Sequence, residues 1–189
     1  MKIYYIASEV APYAKTGGLA DVAGALPPAL SALGHDVRLI MPLYSAIDPA
    51  AAGLQPILPE IKVYFPGETQ VGRIHAARMP DGRTPIYFVD HPGYFHREGL
   101  YQDRGGDFAD NAERFGFFCM AALWALRGLD WRPDIIWCND WQTGLAPAFL
   151  ANLSFFQESE FYSHARRIFT IHNLAFQGLF DSAYVAWFG

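Results

Sequence analysis

Apolar positions along the chain follow two alternating periodicities, and their order predicts an α/β protein. Ile3-Tyr4-Tyr5-Ile6-Ala7 is a short continuous apolar run ending in a loop that holds Pro12, Gly17 and Gly18. A central parallel strand, covered on both faces, reads this way. Leu19, Val22, Ala23, Leu26, Leu30 and Leu33 then recur at helical steps, and Gly34 stands where a C-terminal cap glycine belongs. Pro27 and Pro28 predict a kink or a restart inside that helix. Val37 to Met41 returns as a strand, which completes a strand–helix–strand unit of the kind that is nearly always right-handed in parallel sheets.

The middle of the chain has a different rhythm. Ile61 to Phe65, Val71 to Met79 and Ile86 to Val89 are strand-like, with a Pro80-Asp81-Gly82 turn between two of them, so an antiparallel excursion or an extra sheet edge is expected. A polar, glycine-bearing loop runs from His91 to Gly106. Phe108, Ala112, Phe115, Cys119, Ala122, Leu126 and Leu129 then mark a long amphipathic helix lying against the sheet. Ile135 to Cys138 and Ile168 to Ile171 are two further apolar strands, separated by a helix whose start is marked by Thr143 and Pro147. The whole predicts a Rossmann-like parallel sheet with helices on both faces. No internal repeat, low-complexity tract or interdomain linker interrupts it.

Composition narrows the function. With 189 residues, 52% of them hydrophobic, the chain can bury one core. Its charged share of 17% is below the usual quarter or so, and 16% is aromatic, so some apolar surface is expected to face a partner or a sugar. A net charge of -5 without a basic run argues against nucleic acid, which needs clustered Lys and Arg. Cys119 and Cys138 form neither a disulfide framework nor a metal quartet, and a reduced, cytoplasmic protein is the simplest reading. The first strand is predicted to begin at Lys2, so no leader is expected before it. No apolar run reaches the roughly 18 residues of a membrane span.

Three of the apolar runs end in polar loops: Ser8 to Gly18, Asn139 to Gly144, and His172 to Gly178. Ligands of open parallel sheets sit beyond the carboxyl ends of the strands, where such loops converge. Lys15-Thr16-Gly17-Gly18 precedes a helix, so its backbone N–H groups, the helix terminus and the lysine can meet an anion; the alternative is a flexible turn with an exposed lysine. No Gly-x-Gly-x-x-Gly follows the first strand, which counts against a nicotinamide-dependent oxidoreductase. Asp140, between strand and helix, can cap the helix or bind sugar hydroxyls. His172-Asn173 can be a turn pair. Tyr94, beside Pro92 and Gly93, is the loop aromatic expected to be exposed.

Together these motifs resemble a family. Lys15-Thr16-Gly17-Gly18-Leu19, Asn139-Asp140-Trp141-Gln142-Thr143-Gly144-Leu145 and Thr170-Ile171-His172-Asn173-Leu174-Ala175-Phe176-Gln177-Gly178 occur in this order in bacterial glycogen synthases and plant starch synthases, and Ser8-Glu9-Val10-Ala11-Pro12 and Asn111-Ala112-Glu113-Arg114-Phe115 extend the likeness along the chain. The resemblance implies the N-terminal half of a two-domain GT-B glucosyltransferase, residues 1–189 being an incomplete N-terminal catalytic domain without its C-terminal nucleotide-binding domain. It implies retaining transfer from ADP-glucose to an α-1,4-glucan such as glycogen, with no metal or redox cofactor. Lys15, Gly17, Gly18 and Asp21 would contact ADP-glucose. His172, Asp140 and Asn173 would be catalytic, and Tyr94 would face the glucan. Asn139 replaces the histidine of many bacterial relatives, so no catalytic role is expected at 139. A noncatalytic glucan-binding or regulatory module is the rival reading, and such a half alone is expected to be inactive.

Overall fold

A computed structural model describes residues 1–188; Gly189, the last residue of the expected domain, lies outside the described residues. Strand β1 (Lys2–Ile6), helix α1 (Gly18–Ala32) and strand β2 (Asp36–Pro42) are followed by strands β3 (Gln55–Phe65), β4 (Glu68–Arg78) and β5 (Pro85–Asp90). Helix α2 (Pro92–Phe95), a small hairpin of β6 (Gln102–Asp103) and β7 (Gly106–Asp107), and helix α3 (Asn111–Gly128) lead to β8 (Ile135–Asn139). After a 3-10 turn (Trp141–Thr143) come helices α4 (Leu145–Asn152), α5 (Ser154–Gln157) and α6 (Glu160–Ser163), strand β9 (Arg166–Thr170) and helix α7 (Ala183–Phe188).

Seven strands form one sheet in the order β3-β4-β5-β2-β1-β8-β9. Strands β5, β2, β1, β8 and β9 are mutually parallel, while β4 runs antiparallel to both β3 and β5. The expected antiparallel excursion is therefore the β3–β4 hairpin, added at one edge of a parallel sheet. The crossover from β1 to β2 steps toward that edge, whereas those from β5 to β8 and from β8 to β9 step the other way. Right-handed crossovers then put α1 on one face and α3 and α4 on the other.

Two expectations about the helices need correction. Helix α1 neither stops nor restarts at Pro27-Pro28 but runs unbroken for 15 residues. Each proline removes one backbone donor, but Leu19, Ala20, Ala23 and Pro27 itself are buried, and such packing supplies most of a helix's stability. It ends as expected: Gly34 has φ +89°, its N–H donates to Ser31 O (3.0 Å) and His35 N–H donates to Leu30 O (3.2 Å), the two bonds of a Schellman cap. Helix α3 is not amphipathic. Fourteen of its 18 residues are buried, because it lies between the sheet and α4. Phe117, Phe118, Met120, Ala121 and Leu123 fill the side expected to be polar, and Phe108 and Leu129 fall outside it. The later helix starts at Leu145 with Pro147 in its first turn, while the Thr143 hydroxyl donates back to Asn139 O (2.9 Å) and so caps nothing.

The loop after β5 is packed rather than open. Pro92 and Gly93 start the single turn α2, which carries Tyr94 and Phe95 inward, so Tyr94 is 7% exposed and the expectation of an open ring is wrong. Its ring stacks on His91 at 4.3 Å and packs beside Phe117. Arg114, fully buried on α3, donates to Tyr94 O (2.7 Å), Leu100 O (3.1 Å) and Asn111 Oδ1 (2.7 Å). Arg97 joins Asp110 through two hydrogen bonds, 2.7 and 2.5 Å, and closes the base of the loop.

On the far side β9 is an edge strand. Phe169, Ile171, Leu174, Phe176, Leu179 and Phe180 are exposed on it and just beyond it.

His91 makes the loop sensitive to pH. Its Nδ1 accepts from Tyr94 N–H (3.2 Å), which assigns the proton to Nε2, facing Gln70 Oε1 at 3.1 Å. Burial lowers its pKa from the ordinary 6.5 or so, so the fold favours the neutral ring. The stability this contributes is present above about pH 6.5 and is lost as pH falls through the lowered folded value. Thermal melts of the chain at pH 7.5 and 5.5 should show a drop in Tm that is smaller in His91→Gln; an identical drop in both proteins would remove His91 as its source.

Candidate functional site

The order in which strands are added reverses between the parallel strands β1 and β8: the segment leaving β1 turns to one face, and the segment leaving β8 turns to the other. A crevice opens at such a switch point, at the carboxyl ends of the strands. The three polar loops leave β1, β8 and β9, which are parallel, and so they share this edge as the sequence predicts. The loop after β5 reaches it too.

Two side chains, Asn139 and Asp140, take over from the backbone pairing that ends here. Asn139, fully buried, donates from Nδ2 to Ile6 O (3.0 Å) and presents Oδ1 to His172 Nε2 (2.9 Å). Since Nδ2 is committed, Oδ1 must accept, so His172 carries a proton on Nε2. Its Nδ1 is left without a hydrogen bond among the described residues. Asp140 N–H donates to Thr170 O (2.9 Å), and Asp140 Oδ1 accepts from His172 N–H at 2.6 Å. The Asp140 carboxylate therefore holds the loop after β9 and caps no helix. Asp140 has φ 57°, a backbone state that costs a non-glycine residue on the order of 1–3 kcal/mol and persists where surroundings enforce it. Asn173 Oδ1 accepts from Ala175 N–H (3.0 Å), a local turn as the sequence allowed. Gly178 closes the loop at φ +63°, where a Cβ would come within 2.6 Å of the Trp141 ring.

The glycine loop is organised differently from the expectation. Glu9, only 4% exposed, accepts from Thr16 N–H, from Thr16 Oγ1 (2.6 Å), from Gly17 N–H (3.2 Å) and from Tyr101 Oη (2.7 Å). Two of the backbone donors expected to face a phosphate are thus held by a carboxylate of the chain itself. Lys15 Nζ donates to both Asp21 oxygens, at 2.6 and 2.8 Å, and the two side chains are 53% and 59% exposed. A pair so exposed contributes about 0–1 kcal/mol. Gly17 is extended at φ -144°, and a Cβ at either Gly17 or Gly18 would meet nothing within 4 Å. Neither the backbone nor the packing of this chain requires glycine at these two positions.

The structure thus makes two groups of the expected residues. Asp140 and His172 are in direct contact, with Asn173 next in the chain; Lys15 and Asp21 pair with each other beside Gly17 and Gly18. Among the described residues no hydrogen bond joins the two groups, and Tyr94 belongs to the core behind them. Sequence reasoning missed Glu9, Asn139 and Tyr101. Glu9 had a signal, since an acidic residue directly after an apolar strand needs donors, and the amides of a glycine loop follow seven residues on. Asn139 had been set aside because it departs from a histidine. Tyr101 had no local signal.

A cleft of about 480 Å³ lies beneath the third loop, walled by Trp141, Ile171, Leu174, Phe176 and Phe180 with Asp140 at its polar end. It follows from the open side of β9 and does not include Lys15, Gly17 or His172. Among the described residues no group of three or more His, Cys, Asp or Glu could hold a metal ion, and no helix is long and apolar enough to cross a membrane.

Comparison with known proteins agrees with the fold. The glycogen synthase of Syntrophotalea carbinolica is 48% identical over the whole of this chain, and glycogen synthase 2 of Geobacter sulfurreducens is 44% identical over 98% of it. The chain spans 38% of the length of each. The solved catalytic domain of starch synthase IV from Arabidopsis thaliana, bound to ADP and acarbose, superposes with a TM-score of 0.85 at 31% identity, over all of this chain and 37% of that one. The model of the starch synthase catalytic domain matches residues 2–189, and the chain belongs to that family.

Proposed function

We propose that this chain forms the donor-facing wall of a retaining glucosyltransferase that moves glucose from ADP-glucose to the non-reducing end of an α-1,4-glucan. The observation that carries the reading is the empty space over Gly17 and Gly18. Glycines that neither the backbone nor packing requires, beside a lysine and a helix N-terminus, suit a ligand group lying close against the main chain. The ADP bound to the Arabidopsis relative, at 31% identity, supports a nucleotide as the ligand.

In this reading the Lys15 ammonium leaves its weak pair with Asp21 for the donor diphosphate, which offers more charge at similar range. Gly18 N–H, at the first position of α1, adds a donor, whereas Thr16 and Gly17 N–H stay with Glu9. His172 turns Nδ1 toward the sugar, with Asn139 fixing the ring from behind and Asp140 fixing its backbone. Asn173 completes the sugar side. Tyr94 shapes the acceptor loop through His91 and Phe117 instead of offering an open stacking face. Departure of ADP needs positive groups where charge develops, and preorganised electrostatics is usually the largest catalytic contribution. Lys15 is the sole Lys or Arg of the three loops, so a second domain of the same enzyme, within the further length of the relatives, supplies the rest. The 189-residue chain alone binds donor weakly and does not turn over.

Two substitutions test the donor site. Gly18→Ala should leave the chain as stable as the parent, or up to about 1 kcal/mol more stable, because alanine restricts the unfolded state, and Gly17→Ala, at the N-cap of α1, should cost no more than about 1 kcal/mol. Both should weaken ADP binding measured by calorimetry. Normal ADP binding by both alanine variants would remove the glycines from the site.

Lys15→Ala should change stability by no more than about 0.5 kcal/mol, since the pair it breaks is exposed. It should weaken ADP binding roughly ten- to a hundredfold, the cost of a charge-assisted hydrogen bond, and leave maltotriose binding unaltered. Equal losses for both ligands would show a general disturbance of the wall.

A further inference from the structure

We infer that Tyr101 is a positioning residue for the glycine loop, acting through Glu9 and coupling the loop after β5 to the loop after β1. The inference rests on the donor reading only for its consequence in binding; the coupling itself stands on geometry.

Glu9 organises the Thr16-Gly17 turn with bonds from two successive amides and the Thr16 hydroxyl. All three come from the loop it organises, so they cannot fix the carboxylate in the molecule. The remaining side-chain donor is Tyr101 Oη, which comes from a segment 92 residues away and donates to Glu9 Oε1 at 2.7 Å. The same oxygen lies 2.8 Å from Ser8 Oγ. With its proton given to Glu9, Tyr101 must accept from Ser8, and this sets the direction of the chain Ser8 to Tyr101 to Glu9. Burial pushes the phenol pKa well up, which keeps the proton available for donation.

Tyr101 is itself held from behind. Arg114 donates to the carbonyl of its neighbour Leu100, Asn111 Nδ2 donates to Tyr101 O (2.9 Å), and Phe108 N–H donates to Tyr101 O (3.0 Å). Its ring packs against Phe115 (5.7 Å) and Trp141 (6.4 Å). Trp141 stands next to Asp140, so one side chain touches the supports of both halves of the site. A hydroxyl anchored on α3 thus fixes the anion that orders the donor loop. Any movement of the loop after β5 must move Glu9 or break this bond.

Tyr101→Phe removes the hydroxyl and keeps the ring. Amide exchange followed by NMR on the 189-residue chain should rise about tenfold at Thr16 and Gly17, as for one lost charge-assisted hydrogen bond, with exchange in β1, β8 and the centre of α3 unchanged. In a double-mutant cycle with Glu9→Ala the two effects should not add, because without the Glu9 side chain the Tyr101 hydroxyl has no bond to this loop left to lose. Additive effects, or an exchange rise spread evenly over the sheet, would overturn the inference; the cycle decides even where Tyr101→Phe lowers stability. An ADP titration of parent and variant gives the consequence, a several-fold weaker affinity in Tyr101→Phe. A parent that binds no ADP counts against the donor reading, and the exchange cycle still decides the role of Tyr101.

Discussion

Where β1, β8 and β9 end side by side, their last backbone groups lose the partners that the ladder gave them. This constraint shapes everything at that edge. A buried amide or carbonyl without a partner is costly, and here the partners are side chains. Asn139 covers Ile6 O, Asp140 covers His172 N–H, and Glu9 covers two amides of the glycine loop. The residues that look like active-site chemistry are first of all the groups that let three strands stop together. Because each is committed on one side, each is also aimed on the other. His172, with one ring nitrogen tied to Asn139, has a single defined tautomer to offer.

The sheet was legible in the sequence because periodicity reports burial. Short apolar runs at Ile3, Val37, Ile86, Ile135 and Ile168 all became parallel strands, and Gly34 capped α1 as its position required. The failures have one cause: periodicity does not reveal what covers the other side. Helix α3 is polar on no broad face because α4 lies over it, and Tyr94 is hidden because a one-turn helix rotates it inward. Pro27-Pro28 carries the local propensity of a break, and the packing of α1 overrides it.

For the site, the polar loops and most of their residues could be read in advance, since loops beyond parallel strands carry function. Their connections could not. Nothing near Tyr101 announces a bond to Glu9, and nothing in Asp140-Trp141 announces that the carboxylate holds the backbone of a loop 32 residues on. Such links join residues distant in sequence, and only the strand order brings them together. Gly17 and Gly18 show the reverse: their type was plain, and the structure adds that nothing in the chain itself demands it.

Strand β9 begins with Arg166 and Arg167, continues into Ile168, Phe169 and Thr170, and is followed directly by Ile171. Charge at a sheet edge deters pairing with foreign strands, but here it protects only the first half. On the side away from β8, the second half meets no further strand among the described residues and lies beside exposed phenylalanine and isoleucine, a combination suited to the addition of another extended segment.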